Sequence, residues 1–397
     1  MKEWDYHWAS RQEILDGFME KCTFKPRTEL IPIREALGRV SAAEVRAAHT
    51  IPDCLASRMD GIAVRGSDFE NGIPDTSTWQ RGRDWEYVNT GVGLPVGFDA
   101  VVVIEKVDFN ADGRIVLSDG PQDQWVCPPG KTLKENDLIL KAHEVIFPQH
   151  IGLLATDNRL EVEVVAKPRV AILPTGSELV PLGGEIPRGL LVESNGAMIE
   201  AQVRSMGGEA HLLPLVGDDR NEITRSIAAA LEWCDIFVLN GGNSKGSEDH
   251  SIEILEELSD IVAYEVDYAP GKHTMAAVAG GVPILGSVGH PGACECSVEW
   301  YVRPLIDAYL GVIPRRKETL EVRLTKDLGS SERIDFCIWL KLTKAADDVW
   351  EGEPLSIDDT APIRARAQAN LIVPKGSAGF KAGDMVEAEL RYPVEWV

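Results

Sequence analysis

The chain has 397 residues, 44% hydrophobic and 26% charged, a composition typical of a globular protein and a length that calls for about two to four domains. Its 40 Lys and Arg stand against 63 Asp and Glu, a formal net charge of −23. That field disfavours nucleic acid and anionic membrane surfaces and leaves any anionic ligand dependent on local donors. The longest apolar runs, such as 100–104 and 275–279, are far short of the roughly 20 residues a spanning helix needs. The acidic opening Met1-Lys2-Glu3-Trp4-Asp5 does not read as a signal peptide. Seven scattered cysteines without a CxxC pair fit a reduced, cytoplasmic location.

In chain order, Ile14, Phe18 and Met19 predict an N-terminal helix to about residue 25. From 31 to 167, short β-rich runs (100–106, 114–117, 138–140, 145–147) lie among Gly, Pro and Asp turns, predicting small β-containing domains. The character changes at Pro168. Strands are expected at 169–174, 210–216, 235–240, 261–266 and 282–288. They alternate with helices from Asn195 (Ile199, Val203 and Met206 on one face, Gly207-Gly208 as the stop), at 221–234, at 249–258, and after Pro291. That alternation predicts a mostly parallel sheet covered by helices. Cys294 and Cys296 fall in the last helix about 200° apart, a poor metal pair and better buried small residues. Beyond Pro314-Arg315-Arg316, strands at 320–324, 334–342, 369–373 and 385–390 predict a small β-domain.

In a parallel α/β sheet, ligands sit outside the carboxyl ends of the strands. Three segments lie there: Thr175-Gly176-Ser177-Glu178, the run from Gly241 to Asp249, and Gly289-His290-Pro291-Gly292. Their glycines and consecutive N–H groups suit an anion nest, although each is also an ordinary tight turn. Glu178, Asp218, Asp219 and Asp249 gather near the same edge. They suit a divalent cation bridging to phosphate, or Asp218-Asp219 simply cap the following helix. Pro270-Gly271-Lys272 adds a turn with one cation.

Together these segments resemble the molybdopterin molybdenumtransferase family (MoeA in bacteria, the E-domain of gephyrin in animals). The resemblance runs along nearly the whole chain. Ser57-Arg58-Met59-Asp60-Gly61-Ile62-Ala63-Val64 looks like S-x-M-D-G-Y-A-V. The run from Thr90 to Val102, with Glu105 behind it, looks like T-G-x-x-L-P-x-G-A-D-A-V-V…E. Glu135-Asn136-Asp137 stands for G-E-D, Thr175 to Leu179 for T-G-D-E-L, and Glu193-Ser194-Asn195 for D-[ST]-N. The 241–249 loop resembles G-G-V-S-V-G-x-x-D, Pro270-Gly271-Lys272 matches P-G-K, and Gly289-His290-Pro291 stands for G-N-P.

The resemblance implies a homodimer that hydrolyses adenylylated molybdopterin with Mg²⁺, inserts molybdate (or tungstate) at the dithiolene and releases AMP. It implies a catalytic set of Asp60, Thr90, Asp137, Glu178, Asp218 and Asp249, with Asp218 and Asp249 holding the metal. Asp60, Thr90 and Asp137 would serve the α/β cleft of the partner subunit. Ligand-binding positions would be Thr175, Gly176, Ser177, Ser194, Asn195, Gly241, Gly242, Ser244, Lys245, Gly246, Pro270, Gly271, Lys272, Gly289, His290 and Pro291. The implied architecture is an N-terminal helix (1–24) packed on the α/β domain, a linking domain (25–46 with 138–167), a small β-containing domain (47–137), an α/β molybdopterin-binding domain (168–312) and a C-terminal β-barrel (316–397). Other cofactor-biosynthesis or molybdoenzyme proteins are the implied partners.

Some positions depart from the family pattern. Glu265 and Ala269 stand where lysines precede P-G-K, Asn243-Ser244-Lys245 replaces V-S-V, and the arginine before G-E-D is missing. Lys245, His273 and His290 are basic groups that the pattern lacks, and they are the expected replacement for the lost oxyanion-binding charge. Two other readings stay open here: a pterin-binding carrier without turnover, and a nucleotide or pterin hydrolase.

Overall fold

The computed structural model describes residues 8–110, 113–241, 251–314 and 317–392. They form two compact units, Thr28–Val165 on one hand and Met1–Arg27 with Ala166–Val397 on the other.

In the unit Thr28–Val165, strand Thr28–Pro32 pairs antiparallel with Glu161–Val165, and Val45–Arg46 with Leu138–Leu140. These ribbons and helix Pro148–Thr156 enclose a core containing Ile33, Leu140, Ile146 and Leu154. The strand expected at 145–147 is reduced to one bridge, Val40 to Val145. A second core, around Ile62, Val102 and Ile115, is built by strands Glu86–Val88, Gly61–Val64 and Ala100–Val103 with the hairpin Val107–Phe109/Ile115–Leu117.

The other unit opens with helix Arg11–Lys21, started by a capping box in which Ser10 and Glu13 satisfy each other's backbone N–H. Ile14 and Phe18, four residues apart, are fully buried, whereas Met19, expected on the same face, is exposed. Five residues from Ile14, it has rotated well off that stripe.

Six strands form the central sheet in the order Glu209–Leu212, Arg169–Pro174, Ile236–Asn240, Val282–Ser287, Met275–Ala279 and Asp260–Tyr264. The first four run parallel, and Met275–Ala279 runs antiparallel to both of its neighbours, so that Asp260–Tyr264 points the same way as the first four. Met275–Ala279 is a strand absent from the sequence expectation. All five of its residues are buried, which erases the period-two signal, and a Gly280-Gly281 turn with both φ positive folds it onto Val282–Ser287. Its direction has a consequence for the site. Because Met275 pairs with Gly286, the Pro270-Gly271-Lys272 turn arrives at the same edge as the loops that follow the parallel strands.

Pro291 starts a helical run in three parts, α (Pro291–Ser297), π (Val298–Val302) and α (Arg303–Leu310), ended by Gly311 in the left-handed conformation. Cys294 and Cys296 are buried within it. Beyond, Asp335–Lys344 pairs with both Trp350–Leu355 and Ala369–Val373, closing a barrel whose other strands are Thr319–Leu324 and Met385–Leu390. Trp350–Leu355, interrupted by Gly352 and Pro354, gave no strand signal in the sequence. The dipeptide Tyr268–Ala269, just before Pro270, joins the barrel sheet alongside Asp335 and Phe336.

Candidate functional site

The site lies at the carboxyl edge of the parallel strands, and backbone contacts lock its loops together. Thr175 N–H donates to Asn240 O at 2.8 Å, Gly176 N–H to Val216 O at 3.0 Å, and Gly241 N–H to Ser287 O at 3.0 Å. Gly176 (φ +142) and Gly241 (φ +101) occupy backbone conformations that disfavour a side chain. The Glu178 carboxylate fills the space a Cβ at 176 would need, and Thr175 O fills that of a Cβ at 241. Two loops expected to bind a ligand are thus packed backbone to backbone.

Ser177 and Asp218 bond reciprocally across this edge. Asp219 accepts from Glu222 N–H at 2.9 Å and caps helix Arg220–Leu231. Of the adjacent pair, one acid caps and the other ties down the Thr175–Glu178 loop. Glu178 is exposed, and its carbonyl accepts from Leu191 N–H at 2.9 Å.

Asn195 is the first residue of helix Asn195–Ser205, and Ser194, not Asn195, is in the cap position, without a side-chain capping bond. The buried Asn195 amide donates to Asn240 Oδ1 at 3.1 Å and to Gly289 O at 2.8 Å, while its own Oδ1 has no partner. Asn240 in turn donates to Val288 O at 3.1 Å and Cys294 Sγ at 3.4 Å. Asn240 thus joins the site although sequence reasoning passed over it. Its signal was a polar residue closing the apolar run Ile236–Leu239. His290 occupies the cap position of the helix that Pro291 opens, without a side-chain capping bond. Burial and the nearby Arg364 charge push the His290 imidazole below its usual pKa, which favours its neutral form.

Lys272 Nζ lies 4.1 Å from the Trp8 ring centre, and Trp8 Nε1 donates to Glu265 Oε2 at 3.0 Å. His273 Nδ1 is 3.1 Å from Glu265 Oε1. Glu265 is buried, with φ +65. Asp267, also buried, pairs with Lys375 of the barrel domain. The Glu265 carboxylate thus holds Trp8 and His273 beside the P-G-K turn, and Lys272 rests on the Trp8 ring.

In the unit Thr28–Val165, Asp60 Oδ1 accepts from Thr90 N–H at 2.7 Å and Thr90 Oγ1 at 3.0 Å. The Thr90 amide and hydroxyl hold the exposed Asp60 carboxyl below its usual range. Asp137 Oδ2 accepts from Lys134 N–H at 2.8 Å and closes a turn. Gly242, Ser244, Lys245, Gly246 and Asp249 lie outside the described residues. Among the described residues, no three His, Cys, Asp or Glu side chains are grouped to hold a metal, and no helix is long and apolar enough to cross a membrane.

Known proteins resemble this chain along most of its length. The MoeA N-terminal region (domain I and II) matches residues 9–156, and a probable molybdopterin binding domain matches residues 171–308. The molybdopterin molybdenumtransferase of Staphylococcus aureus is 29% identical over 379 residues, 90% of each chain. That of Staphylococcus epidermidis is 28% identical over 381 residues, 91% of this chain and 90% of its own. The crystal structure of the molybdopterin biosynthesis MoeA protein from Pyrococcus horikosii superposes with a TM-score of 0.81 at 24% identity, covering 97% of this chain and 99% of that one. Its fold has the same barrel, α/β domain and small β-rich N-terminal domains. The chain belongs to the MoeA family.

Proposed function

We propose that this protein is an enzyme of molybdenum cofactor biosynthesis, a molybdopterin molybdenumtransferase that takes adenylylated molybdopterin and molybdate (or tungstate) and releases AMP. The observation that carries this reading is the carboxyl edge itself. There Thr175 is bonded to Asn240 and Gly241 to Ser287, the Asn195 amide joins Asn240 to Gly289, and the buried Asn195 Oδ1 has no protein donor. A buried acceptor left unpaired costs about 1–3 kcal/mol, and a pterin N–H would satisfy it. A carrier without turnover is not favoured. Glu178 and Asp218 keep carboxylates at that edge, and the relatives matched along 90% of their length are transferases by name.

On this reading the Thr175–Glu178 loop offers backbone N–H groups to phosphate, held in place by Asp218 through Ser177. The carboxylates are hard oxygen donors of the kind Mg²⁺ takes, usually one or two together with phosphate oxygens. Asp218 and Asp249 would hold the ion, which would neutralise phosphate charge as AMP leaves. Lys272 is the described cation of the P-G-K turn, and Lys245 would be a second. We further propose a cytoplasmic homodimer in which Asp60, Thr90 and Asp137 serve the reaction.

The test is AMP release from adenylylated molybdopterin with Mg²⁺, with and without molybdate. Release that rises with molybdate and yields metallated cofactor is expected. Tight pterin binding with no release under any condition would overturn the transferase reading.

A further inference from the structure

A separate cavity of 540 Å³ lies at the seam between helix Asn195–Ser205, the helical run after Pro291, and the barrel. None of the carboxyl-edge loops lines it. The π-helical turn Val298–Val302 contributes Glu299 and Trp300 to its wall. Such turns sit frequently at functional sites, because the extra residue re-aims neighbouring side chains. Domain seams are common ligand positions.

The lining says what kind of ligand would fit. Each of its cations already has a carboxylate. Arg303 grips Glu299 at 2.7 and 3.1 Å, Lys317 reaches Glu299 at 3.1 Å, and Arg391 is paired with Glu295. An anionic ligand would have to break one of these pairs. Acceptors, in contrast, lack donors. Gln202 Oε1 and Asn370 Oδ1 are buried without a partner. The Gln202 orientation is fixed, since its Nε2 donates to Glu295 O at 3.0 Å. Trp300 and Trp339, each about 95% buried, show only their indole edges to it and form an apolar part of its wall.

We infer that this cavity binds a neutral, flat nitrogen heterocycle whose N–H edge donates to Gln202 and Asn370 and whose ring lies against the indole edges of Trp300 and Trp339. A guanine base (2-amino-6-oxo) and a pterin ring (2-amino-4-oxo) share that chemistry, an edge on which an amine and a ring N–H donate side by side.

Calorimetric titration of the full chain with guanosine, pterin and inosine separates these sources, and amide hydrogen exchange locates the ligand. Saturable binding of guanosine or pterin is expected, with whichever binds naming the source. Protection should appear at residues 295–303 and 368–371. Inosine, lacking the exocyclic amine, should bind at least about tenfold more weakly, as expected when a buried acceptor stays unpaired. Gln202→Met and Asn370→Leu should each weaken binding at least about tenfold, and Asn370→Leu should also raise the unfolding temperature of the free protein, since it removes an unpaired buried acceptor. The inference is overturned if none of the three compounds binds, if both variants bind as the wild type does, or if protection is confined to the carboxyl-edge loops.

Discussion

Ser177 and Asp218 hold each other through two opposed hydrogen bonds: Ser177 N–H donates to Asp218 Oδ2 at 2.9 Å, and Asp218 N–H donates to Ser177 Oγ at 3.0 Å. The loop after strand Arg169–Pro174 is thereby fixed to the segment before helix Arg220–Leu231. Asp218 has two tasks under the proposed function, positioning this loop and presenting negative charge to a metal.

Substitution separates the two tasks. Asp218→Asn keeps an oxygen for Ser177 N–H but removes the charge. It should leave the unfolding midpoint within about 0.5 kcal/mol of wild type while lowering turnover by about 10²–10³, the usual loss of one preorganised electrostatic group. Ser177→Ala keeps the charge and loosens the loop, so its main effect should be on KM. Steady-state AMP release for both variants checks this, and normal turnover in Asp218→Asn would remove Asp218 from the reaction.

Asn195 offers a second test. Its amide satisfies Asn240 Oδ1 and Gly289 O together. Asn195→Ala strands both acceptors and should destabilise the fold by about 2–4 kcal/mol, two unmet acceptors at the ordinary cost. Asn195→Asp would bring acceptors against acceptors and should be at least as harmful. Urea unfolding of the two variants reads both effects. Wild-type stability in either would mean that the Asn195–Asn240 bridge does not hold the edge together.

The sequence made the parallel half of the sheet legible because strands such as Arg169–Pro174 and Ile236–Asn240 are compact apolar runs bounded by turn residues. It hid Met275–Ala279, whose small residues are buried throughout and carry no alternation, so the return of the P-G-K turn to the ligand edge was not visible. Motif residues Thr175, Gly176 and Asp218 could be placed at one edge from spacing alone. Asn240 and Trp8 could not, because their roles arise from contacts 45 and 257 residues away in the chain. Nor could the sequence show that burial first, and then the charge of the distant Arg364, hold the His290 imidazole below its usual range.

His290 carries a pH prediction. Its pKa is depressed in the fold, so the unfolded chain takes up the proton first, near the ordinary histidine value of about 6.5. The stability it contributes is complete above that pH and is lost as pH falls through the folded value. Thermal unfolding should therefore show a smaller acid loss between about pH 7 and 5 in His290→Gln than in wild type. Oxyanion binding should be insensitive to this substitution above pH 7, where the imidazole is already neutral.

The Asp267–Lys375 pair links the turn to the barrel. Asp267 is buried, and Asp335 N–H also donates to Asp267 O at 2.8 Å. Lys375→Met leaves a buried carboxylate without its cation and should cost about 1–3 kcal/mol. Lys326→Met, which breaks an exposed pair with Glu353, should cost less than about 1 kcal/mol. Equal effects of the two in urea unfolding would show that burial of Asp267 does not decide the outcome.

Glu265 tests where the oxyanion-binding charge resides. It stands where the family pattern carries a lysine, and it holds Trp8 by a 3.0 Å hydrogen bond and His273 at 3.1 Å, while Lys272 rests on the Trp8 ring. A dianion arriving at Lys272 meets the repulsion of this carboxylate. Glu265→Gln preserves the shape and an acceptor for Trp8 Nε1, and it removes the charge. At the effective dielectric near a protein surface, deleting a like charge several ångströms away is worth about 1–3 kcal/mol, so molybdate or tungstate should bind at least about fivefold more tightly in this variant. Lys272→Met should act in the opposite direction by a similar amount, the worth of a charge-assisted hydrogen bond. Titration calorimetry with tungstate at constant ionic strength measures both. If neither substitution changes the affinity, the oxyanion is held elsewhere, and Lys245 becomes the residue to replace next.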